Sequence, residues 1–445
     1  LRGYDGFGSV TPASITASNL VLATPVDSQN IAIGSASGAL VIPTSFINGF
    51  GTVAVPKVLI GGTNGTGDVH VGGSVNITRS GIVIGNTGAG ADVVLSTGAE
   101  LLVPNDLTLR AGGTITLQSG ALIEVPSSFL RFEGSGCSFA NPGGVTAPGV
   151  IFTGTFTTDT VGVVTGTGAA AIVPAAAVNG LTAAKVPLVS IGGQGNVTVG
   201  GSVAITRSGV TIGTINPAGS TLVQAGTNLT FTAGGTLLSD GILTLQAGST
   251  VNGGAGTLVL AGYDIALAGG AGSITGGGDP ATSRLEIVPR GFGRAMFIGD
   301  AGAGTVIDAT ELQTIGGGFD NSVMVGSGTA TTIGGELGTL AVGNGPWFLG
   351  SSSSNTVLAS GLRIDGTTGN GALFFYGSTV TQEFDAKATA GAGGIGLRGN
   401  SFDLQGAAGD LATTGDIFVR PVANSGAIDI GAASGSPAPT LVTQA

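Results

Sequence analysis

Apolar and polar residues alternate along most of this chain, in short runs that each end at a glycine. In residues 222–269 the runs LVQAG, TNLTFTAG, GILTLQAG and GTLVLAG show the pattern clearly. Alternation with a period of two is typical of β-strands, and glycine permits the sharp corners between them because it tolerates positive φ. The pattern therefore predicts strands whose large apolar side chains share one face, namely Leu229, Phe231, Leu243, Leu245, Leu258 and Leu260.

The spacing of these strands predicts how they are arranged. Three strands with their corners occupy about 20 residues, which is the size of one β-helix coil. Coils that stack by parallel pairing at about 4.8 Å would number about 20 and make a rod on the order of 100 Å long. We therefore predict an all-β chain that folds as an elongated right-handed parallel β-helix, or β-solenoid.

A long internal repeat underlies this rhythm. The run GDVHVGGSVNITRSGIVIG at 67–85 returns as GNVTVGGSVAITRSGVTIG at 195–213. Upstream, the match continues from 60–62 to 191–193, although the linking TNGTG before Asp68 is shortened to QG before Asn196. A unit of about 130 residues is therefore duplicated, over roughly 40–125 and 170–253.

The repeat divides the chain into four predicted segments. These are N-terminal coils over 1–39, a first repeat unit with its connecting segment over 40–169, a second unit over 170–290, and further coils over 291–445. No helical or charged cap is visible at either end, and an uncapped coil would leave a strand unpaired. We therefore expect the coils to continue in a longer parent chain, or to associate end to end or laterally with other subunits.

Composition supports a solenoid and excludes several other classes of protein. The 445 residues include 86 Gly and are 42% hydrophobic but only 9% charged, which excludes a disordered chain and disfavours long helices. The net charge of −11, with 14 scattered basic residues, leaves no basic patch for nucleic acid. The longest apolar run, 169–178, is far shorter than the ~20 residues that a membrane-spanning helix needs, so we predict no transmembrane helix.

Two regions resemble the large exoproteins of the filamentous haemagglutinin type. One consists of LTLRAGGTITLQSGALIEV (107–125) and LTFTAGGTLLSDGILTLQAGSTV (229–251), which are similar to that family's Gly-rich coils. The other is FIGDAGAGTVIDATELQTIGGGFDNSVMVGSG (297–328). The resemblance implies an extracellular, secreted bacterial surface protein with a β-helical shaft, exported through an outer-membrane secretion partner or in the manner of an autotransporter. It also implies a role in adhesion, aggregation or biofilm.

The chain departs from that family at one motif. The family's secretion domain carries an Asn-Pro-Asn signature, whereas Asn-Pro occurs here only at 141–142 and 216–217 and is not followed by Asn. The resemblance therefore implies a segment of the shaft or a divergent member.

Few residues could carry catalysis or bind a metal. His70 is the only histidine, which excludes a histidine-based metal cluster, and we expect it at a solvent-facing strand position. Cys137 is the only cysteine and is expected to be a small buried residue. We predict neither a cofactor nor a metal.

A β-helical polysaccharide lyase or hydrolase would need carboxylates gathered on one outer face. The candidates here are too far apart along the coil to lie one above another, so we predict that the chain is not an enzyme. They are Asp300, Asp308, Glu311 and Asp320, with Arg290 and Arg294 upstream.

Four residues are candidate contacts for a glycan or a protein partner. Arg79 and Arg207 occupy equivalent positions in the two copies of T-R-S-G, where a guanidinium could instead cover the carbonyls of a corner or pair with a carboxylate on the next coil. Trp347 and Tyr376 belong to an aromatic-rich region that would either fill the core or form a sugar-stacking or docking patch.

These observations favour a structural and adhesive surface protein, whose shaft projects from the cell or assembles into extracellular filaments. Its partners would be other copies of the chain and the glycans or proteins of host or neighbouring cells. One alternative is the polysaccharide-degrading enzyme. Another is an ice-binding solenoid, which the T-x-T fragments at 114–116 and 230–232 suggest.

Overall fold

The chain is an all-β solenoid with 48% strand and 5% helix, as the alternation predicts. The structure is a computed structural model that describes residues 1, 11–154, 159–164, 169–290, 294–299, 302, 304–327, 330–340, 345–351, 353–366, 370–422, 428–430 and 440–444. It divides into two compact units, unit 1 (residues 1–213) and unit 2 (residues 214–445).

The coils number about 14, fewer than the strand spacing predicts. The reason is that coils differ in length, and some are much longer than a minimal three-stranded turn. Leu107 pairs with Leu130 on the next coil, whereas Val150 pairs with Val189, so the second of these coils holds many more residues than the first. The longer coils carry excursions that leave the stack and return to it.

Unit 1 contains the first twenty strands, which are β1 Asn19–Leu22, β2 Ile31–Gly34, β3 Leu40–Ile42, β4 Lys57–Ile60, β5 Val69–Gly72, β6 Ser74–Asn76, β7 Ile82–Ile84, β8 Val93–Leu95, β9 Glu100–Leu102, β10 Leu107–Leu117, β11 Leu122–Glu124, β12 Phe129–Phe139, β13 Val145–Thr146, β14 Gly149–Thr153, β15 Val161–Val164, β16 Ala171–Val173, β17 Leu188–Ile191, β18 Val197–Gly200, β19 Ser202–Ile205 and β20 Val210–Thr214. Its helices are short: α1 Thr44–Asn48, α2 Ala175–Gly180, and the 3₁₀ turns Pro12–Ser14 and Pro142–Gly144.

Unit 2 contains the remaining strands, which are β21 Thr221–Val223, β22 Asn228–Phe231, β23 Gly235–Leu245, β24 Thr250–Asn252, β25 Thr257–Leu267, β26 Ile274–Thr275, β27 Arg284–Pro289, β28 Met296–Ile298, β29 Thr305–Ile307, β30 Ser322–Ser327, β31 Thr331–Ile333, β32 Glu336–Thr339, β33 Trp347–Ser351, β34 Thr356–Leu358, β35 Arg363–Gly366, β36 Leu373–Tyr376, β37 Thr379–Gln382, β38 Lys387–Ala390, β39 Ile395–Arg398, β40 Ser401–Leu404, β41 Leu411–Thr413, β42 Ile417–Arg420, β43 Ile428–Ile430 and β44 Thr440–Gln444. Among the described residues of this unit, one short helix, α3, spans Ala309–Leu312.

Strands stack in parallel on three faces of each unit. The first face of unit 1 holds β1, β4, β7, β14, β17, β20 and the first halves of β10 and β12. The first face of unit 2 holds β27, β30, β33, β36, β39, β42 and the first halves of β23 and β25. Because the register is kept from coil to coil, one residue position forms a continuous row along each face.

The inward rows form the core. The six apolar residues predicted to share a face between 229 and 260 are all fully buried, which confirms that prediction. In unit 1 the row Ile82, Leu107, Leu130, Val150 and Val189 pairs in register and is likewise buried. Burying such a side chain contributes roughly 1.5–3 kcal/mol, so each coil is stabilised mainly by the coils beside it.

The duplication is visible strand by strand. Strands β4 to β12 have counterparts β17 to β25, and helix α1 has the counterpart α2. The structural match begins earlier than the predicted residue 40, because β1 (Asn19–Leu22) and β2 correspond to β14 (Gly149–Thr153) and β15. These early strands share only the alternation of apolar residues, which is too weak a likeness to align from sequence.

Each copy contains an excursion at the same point. After β2, strand β3 pairs with the free side of β2, α1 follows, and the chain then returns as β4 above β1. In the second copy β16 pairs with β15 and α2 follows. Pro43 and Pro174 stand directly before the two helices, and proline, which suits the start of a helix, ends the preceding strand.

Two corners show why glycine is required. Gly85 in unit 1 has φ +136° and Gly326 in unit 2 has φ +153°, in the region that side chains with a Cβ rarely adopt. A Cβ at Gly85 would overlap the carbonyl oxygen of Arg110, and one at Gly326 would overlap that of Gly350. These corners can therefore stack closely only with glycine.

Candidate functional site

A row of aromatic side chains lies on the outside of the first face of unit 2. Pairing in register aligns Met324, Phe348, Phe374, Gly396 and Phe418 on successive coils. Alternation along each strand turns these side chains outward, and all except Gly396 are partly exposed. We call these five positions the outer aromatic row.

The rings in this row contact one another. Phe348 and Phe374 stack with their centroids 4.9 Å apart and their planes 11° apart. Phe348 also meets Tyr376 edge to face, with a centroid distance of 6.2 Å. The ring of Phe374 covers Gly396, since a Cβ at that position would overlap it. The absence of a side chain at 396 therefore leaves room for the ring of Phe374.

Two arginines flank the row on adjacent coils. Tyr376, Arg398 and Arg420 pair in register, and both guanidinium-bearing residues are exposed. Arg398 Nη2 donates to the carbonyl oxygen of Val422 at 2.9 Å, and the guanidinium of Arg420 lies 5.3 Å from the ring centroid of Phe418. Like charges on neighbouring strands are unfavourable, and neither arginine has an ion-pair partner among the described residues.

Two hollows open beside the row. The larger encloses about 500 Å³ and the smaller about 360 Å³, sizes within the usual range for binding sites of small organic groups. Phe348 and Arg398 line both hollows, so the two hollows adjoin, and we treat them as one candidate site. Other residues of the larger hollow are Arg284, Asn321, Ser322, Met324, Pro346, Ser351, Tyr376 and Val422, and of the smaller Phe374, Leu397, Phe418, Arg420 and Pro421.

The larger hollow has a polar wall. Arg284 pairs with Glu286 at 3.0 Å (Nε to Oε1), and its Nη2 also contacts the sulfur of Met324. Burial raises the pKa of Tyr376 to about 12, so its hydroxyl stays protonated near neutral pH and can donate a hydrogen bond. The site thus combines apolar rings, a hydroxyl donor and guanidinium groups.

The structure separates the two aromatic residues proposed as contacts. Trp347 is only 1% exposed and packs in the core, in the inward row beside Phe348. Tyr376 is 9% exposed and lines the larger hollow. A contact with an external ligand is therefore open to Tyr376, whereas Trp347 is turned away from solvent.

Arg79 and Arg207 are buried inside unit 1, where they have a structural role. Arg79 Nη1 donates to the carbonyl oxygen of Phe50 at 3.1 Å and Nη2 to that of Val55. Arg207 makes the equivalent bonds to Leu181, at 2.9 Å, and to Val186. This arrangement confirms the alternative in which a guanidinium covers corner carbonyls.

The consequence is that these two arginines do not support a glycan contact. Arg79 is 3% and Arg207 6% exposed, and burial lowers the pKa of both guanidinium groups. Their N–H groups are directed at backbone carbonyl oxygens instead of at solvent.

Two of the four acidic candidates for catalysis, Asp308 and Glu311, bind backbone amides. Asp308 caps helix α3 by accepting from the amide of Glu311 at 2.8 Å, and Glu311 accepts from the amide of Asp308 at 2.9 Å. Glu311 also accepts from the amide of Leu267 at 2.8 Å, and burial raises its pKa. Asp300 lies outside the described residues, and Asp320 takes no part in this network.

The two arginines upstream are separated as well. Arg290 pairs with Asp240 at 2.5 Å, whereas Arg294 donates to the carbonyl oxygen of Gly304 at 2.8 Å and lies 3.6 Å from the ring centroid of Tyr263. Among the described residues, no three His, Cys, Asp or Glu side chains are grouped to hold a metal ion.

His70 and Cys137 occupy the positions that the strand pattern suggests. His70 lies on the outer side of β5 and is partly exposed. Its Nε2 is 3.5 Å from the side-chain Nδ2 of Asn30 and 3.9 Å from a carboxylate oxygen of Asp68. Cys137 is buried, as expected, and burial raises the pKa of its thiol to about 12.

Phe348 and Phe374 belong to the aromatic-rich region for which the sequence left open either the core or a docking patch, whereas Phe418 was not predicted as a contact. Each belongs to a run of several apolar residues, such as Trp347-Phe348-Leu349, where either phase of alternation is chemically acceptable. The signal that could have found them is spacing, since Phe348 and Phe374 recur one coil apart.

Comparisons with protein-family models, with curated proteins and with solved structures found no match to this chain. Among the helices of the described residues, none has the length and apolar character needed to span a membrane. The functional assignment therefore depends on the site itself.

Proposed function

We propose that this chain is a structural and adhesive module of a secreted bacterial surface protein, which presents a binding site on the first face of unit 2. The outer aromatic row and its two arginines carry the proposal. A solvent-facing row does not need aromatic residues for folding, because the inward rows already form the core. Clusters of exposed apolar side chains bordered by polar groups are typical of interaction sites.

The rest of the solenoid would act as the shaft that displays this site. Parallel pairing holds every coil against its neighbours, which makes the scaffold rigid and places the binding residues on strands instead of mobile loops. Association of shafts end to end or laterally would multiply weak contacts into firm attachment. Export through an outer-membrane partner belongs to the same proposal.

The two alternative functions have less support. The carboxylates that a polysaccharide lyase would need are engaged in helix capping or lie apart, as described above. The Thr rows that an ice-binding surface would need are interrupted, since Thr116 pairs with Val94 and Ser138, and Thr230 pairs with Asn252.

Attachment of the purified chain to bacterial and animal cell surfaces tests the proposal, with sedimentation velocity measuring self-association. We expect attachment to decrease strongly in the double variant Phe348→Ala/Phe374→Ala. Phe384→Ala is the matched control, because Phe384 is 70% exposed but lies outside the hollows. A chain that stays monomeric and attaches to no surface would contradict the proposal.

A further inference from the structure

We infer that the hollows beside the outer aromatic row bind a polyuronate, a polysaccharide chain that carries one carboxylate on each sugar ring. This inference rests on the proposed adhesive function and names its ligand. The polysaccharide would lie across the strands of the first face of unit 2, along the direction in which the coils stack.

Charge is the first argument. The chain has a net charge of −11 and only 14 basic residues, yet Arg398 and Arg420 lie on adjacent coils of one face. Without a ligand their repulsion is unfavourable, and an anionic ligand would relieve it. Guanidinium groups form paired hydrogen bonds with carboxylates, which suits a ligand that presents carboxylates in succession.

The second argument is the aromatic surface. Sugar rings have apolar C–H faces that pack on aromatic side chains, while their hydroxyls need polar partners. Phe348 and Phe418 provide the apolar surface, and Tyr376 and Asn321, which carry polar groups, line the larger hollow. Both kinds of group are present within one site.

The direction of the site is the third argument. The aromatic row and the pair Arg398 and Arg420 both run along the stacking axis, where neighbouring strands are about 4.8 Å apart. A linear polymer with regularly repeated rings and charges can follow two parallel rows, whereas a compact anion could occupy only one coil.

A peptide fits the site less well. Strands β30, β33, β36 and β39 are each paired on both sides, so an extended peptide could not add as a strand beside the rings of Phe348 and Phe374. A purely apolar partner would cover the arginines without pairing them, which is costly.

Titration calorimetry with polygalacturonate tests the inference, and its methyl ester serves as the uncharged comparison. We expect polygalacturonate to bind, binding to weaken with salt, and the methyl ester to bind at least about tenfold more weakly. Arg398→Gln and Phe348→Ala should each weaken binding about tenfold or more. Fluorescence of Trp347 shows whether each variant has folded.

Arg131→Gln is the matched control, because Arg131 is an exposed arginine of unit 1, in the row that corresponds to the outer aromatic row. Equal binding of the ester and the acid would overturn the inference, as would binding of dextran sulfate in place of polygalacturonate. Cell attachment that is lost when the target cells are treated with protease, without polyuronate binding, would indicate a protein partner. That result would overturn the inference and leave the adhesive function standing.

Discussion

The same row of the same face has different chemistry in the two units. In unit 1 the outward row of the first face runs through Val83, Thr108, Arg131, Ile151 and Ser190, a mixture of small, branched and polar residues. In unit 2 the corresponding row begins with Thr236, Val259 and Glu286 and carries phenylalanine at 348, 374 and 418. The inward rows of this first face are alike, since both are apolar: Leu107 and Leu130 belong to that of unit 1, and Leu285 and Val323 to that of unit 2. The coil therefore constrains what faces the core and leaves the outer rows free to carry function.

The arginines differ between the units in the same way. Those of unit 1 at 79 and 207 are turned inward onto carbonyls, whereas those of unit 2 at 398 and 420 are turned outward beside the hollows. One residue type thus stabilises a corner in one unit and forms a candidate site in the other. The two roles are distinguished by how exposed the arginine side chain is, which the neighbouring sequence alone does not reveal.

Neighbouring phenylalanines give the largest expected contrast. Phe375→Ala should lower the free energy of unfolding of unit 2 by about 4 kcal/mol, because it empties a fully buried position. Phe374→Ala should cost about 1 kcal/mol, since it removes a ring stack at the surface. Urea unfolding followed by Trp347 fluorescence measures both. If both variants lost the same free energy of unfolding, the inner and outer rows would not differ in their contribution to stability.

The buried arginines provide the next test. Arg207→Met should lower the stability of unit 1 by about 3 kcal/mol, because the carbonyls of Leu181 and Val186 lose a charged donor. Arg398→Met in unit 2 should change stability by less than about 0.5 kcal/mol. The rate at which Cys137 reacts with a thiol reagent reports on unit 1, since the native thiol is buried. An unchanged rate in Arg207→Met would contradict the structural role.

Substitution of a corner glycine should lower stability less than Phe375→Ala or Arg207→Met. Gly326→Ala is expected to cost about 2 kcal/mol, because the new Cβ would require both an unfavourable φ and a shift of the Gly350 carbonyl. Gly317→Ala is the control, as a Cβ there meets no atom within 4 Å. Thermal unfolding monitored at Trp347 compares the two variants, and a similar midpoint would show that the corner can relax.

The smallest expected effect depends on pH. Hydrogen bonding to Arg363 lowers the pKa of Asp385 below its ordinary value of 3.8. The folded state therefore binds this proton less readily than the unfolded state, so the contribution is present above pH 3.8 and is lost as pH falls through the folded pKa. In Asp385→Asn, the free energy of unfolding of unit 2 should fall less steeply as the pH is lowered. Urea unfolding between about pH 5 and about pH 2 measures this change. An unchanged pH profile would show that the pair contributes nothing.

The fold was predictable from sequence because each coil repeats a local pattern. Alternation identified the inward faces of β22, β23 and β25, and the duplicated T-R-S-G runs located two structurally equivalent corners. The phase of an all-apolar run such as Trp347-Phe348-Leu349 was not predictable, because it depends on which residue the neighbouring coil can bury. The outer aromatic row was missed for that reason.

The excursions after β2 and β15 also have a use in protein engineering. Arg79 holds the carbonyls of Phe50 and Val55, which stand on either side of a turn whose tip, Val53, is 98% exposed. A foreign peptide inserted beside Val53 would be anchored at both ends without shifting the pairing of β1 with β4. Arg207 holds Leu181 and Val186 in the same manner, so the duplication offers two display positions on one chain.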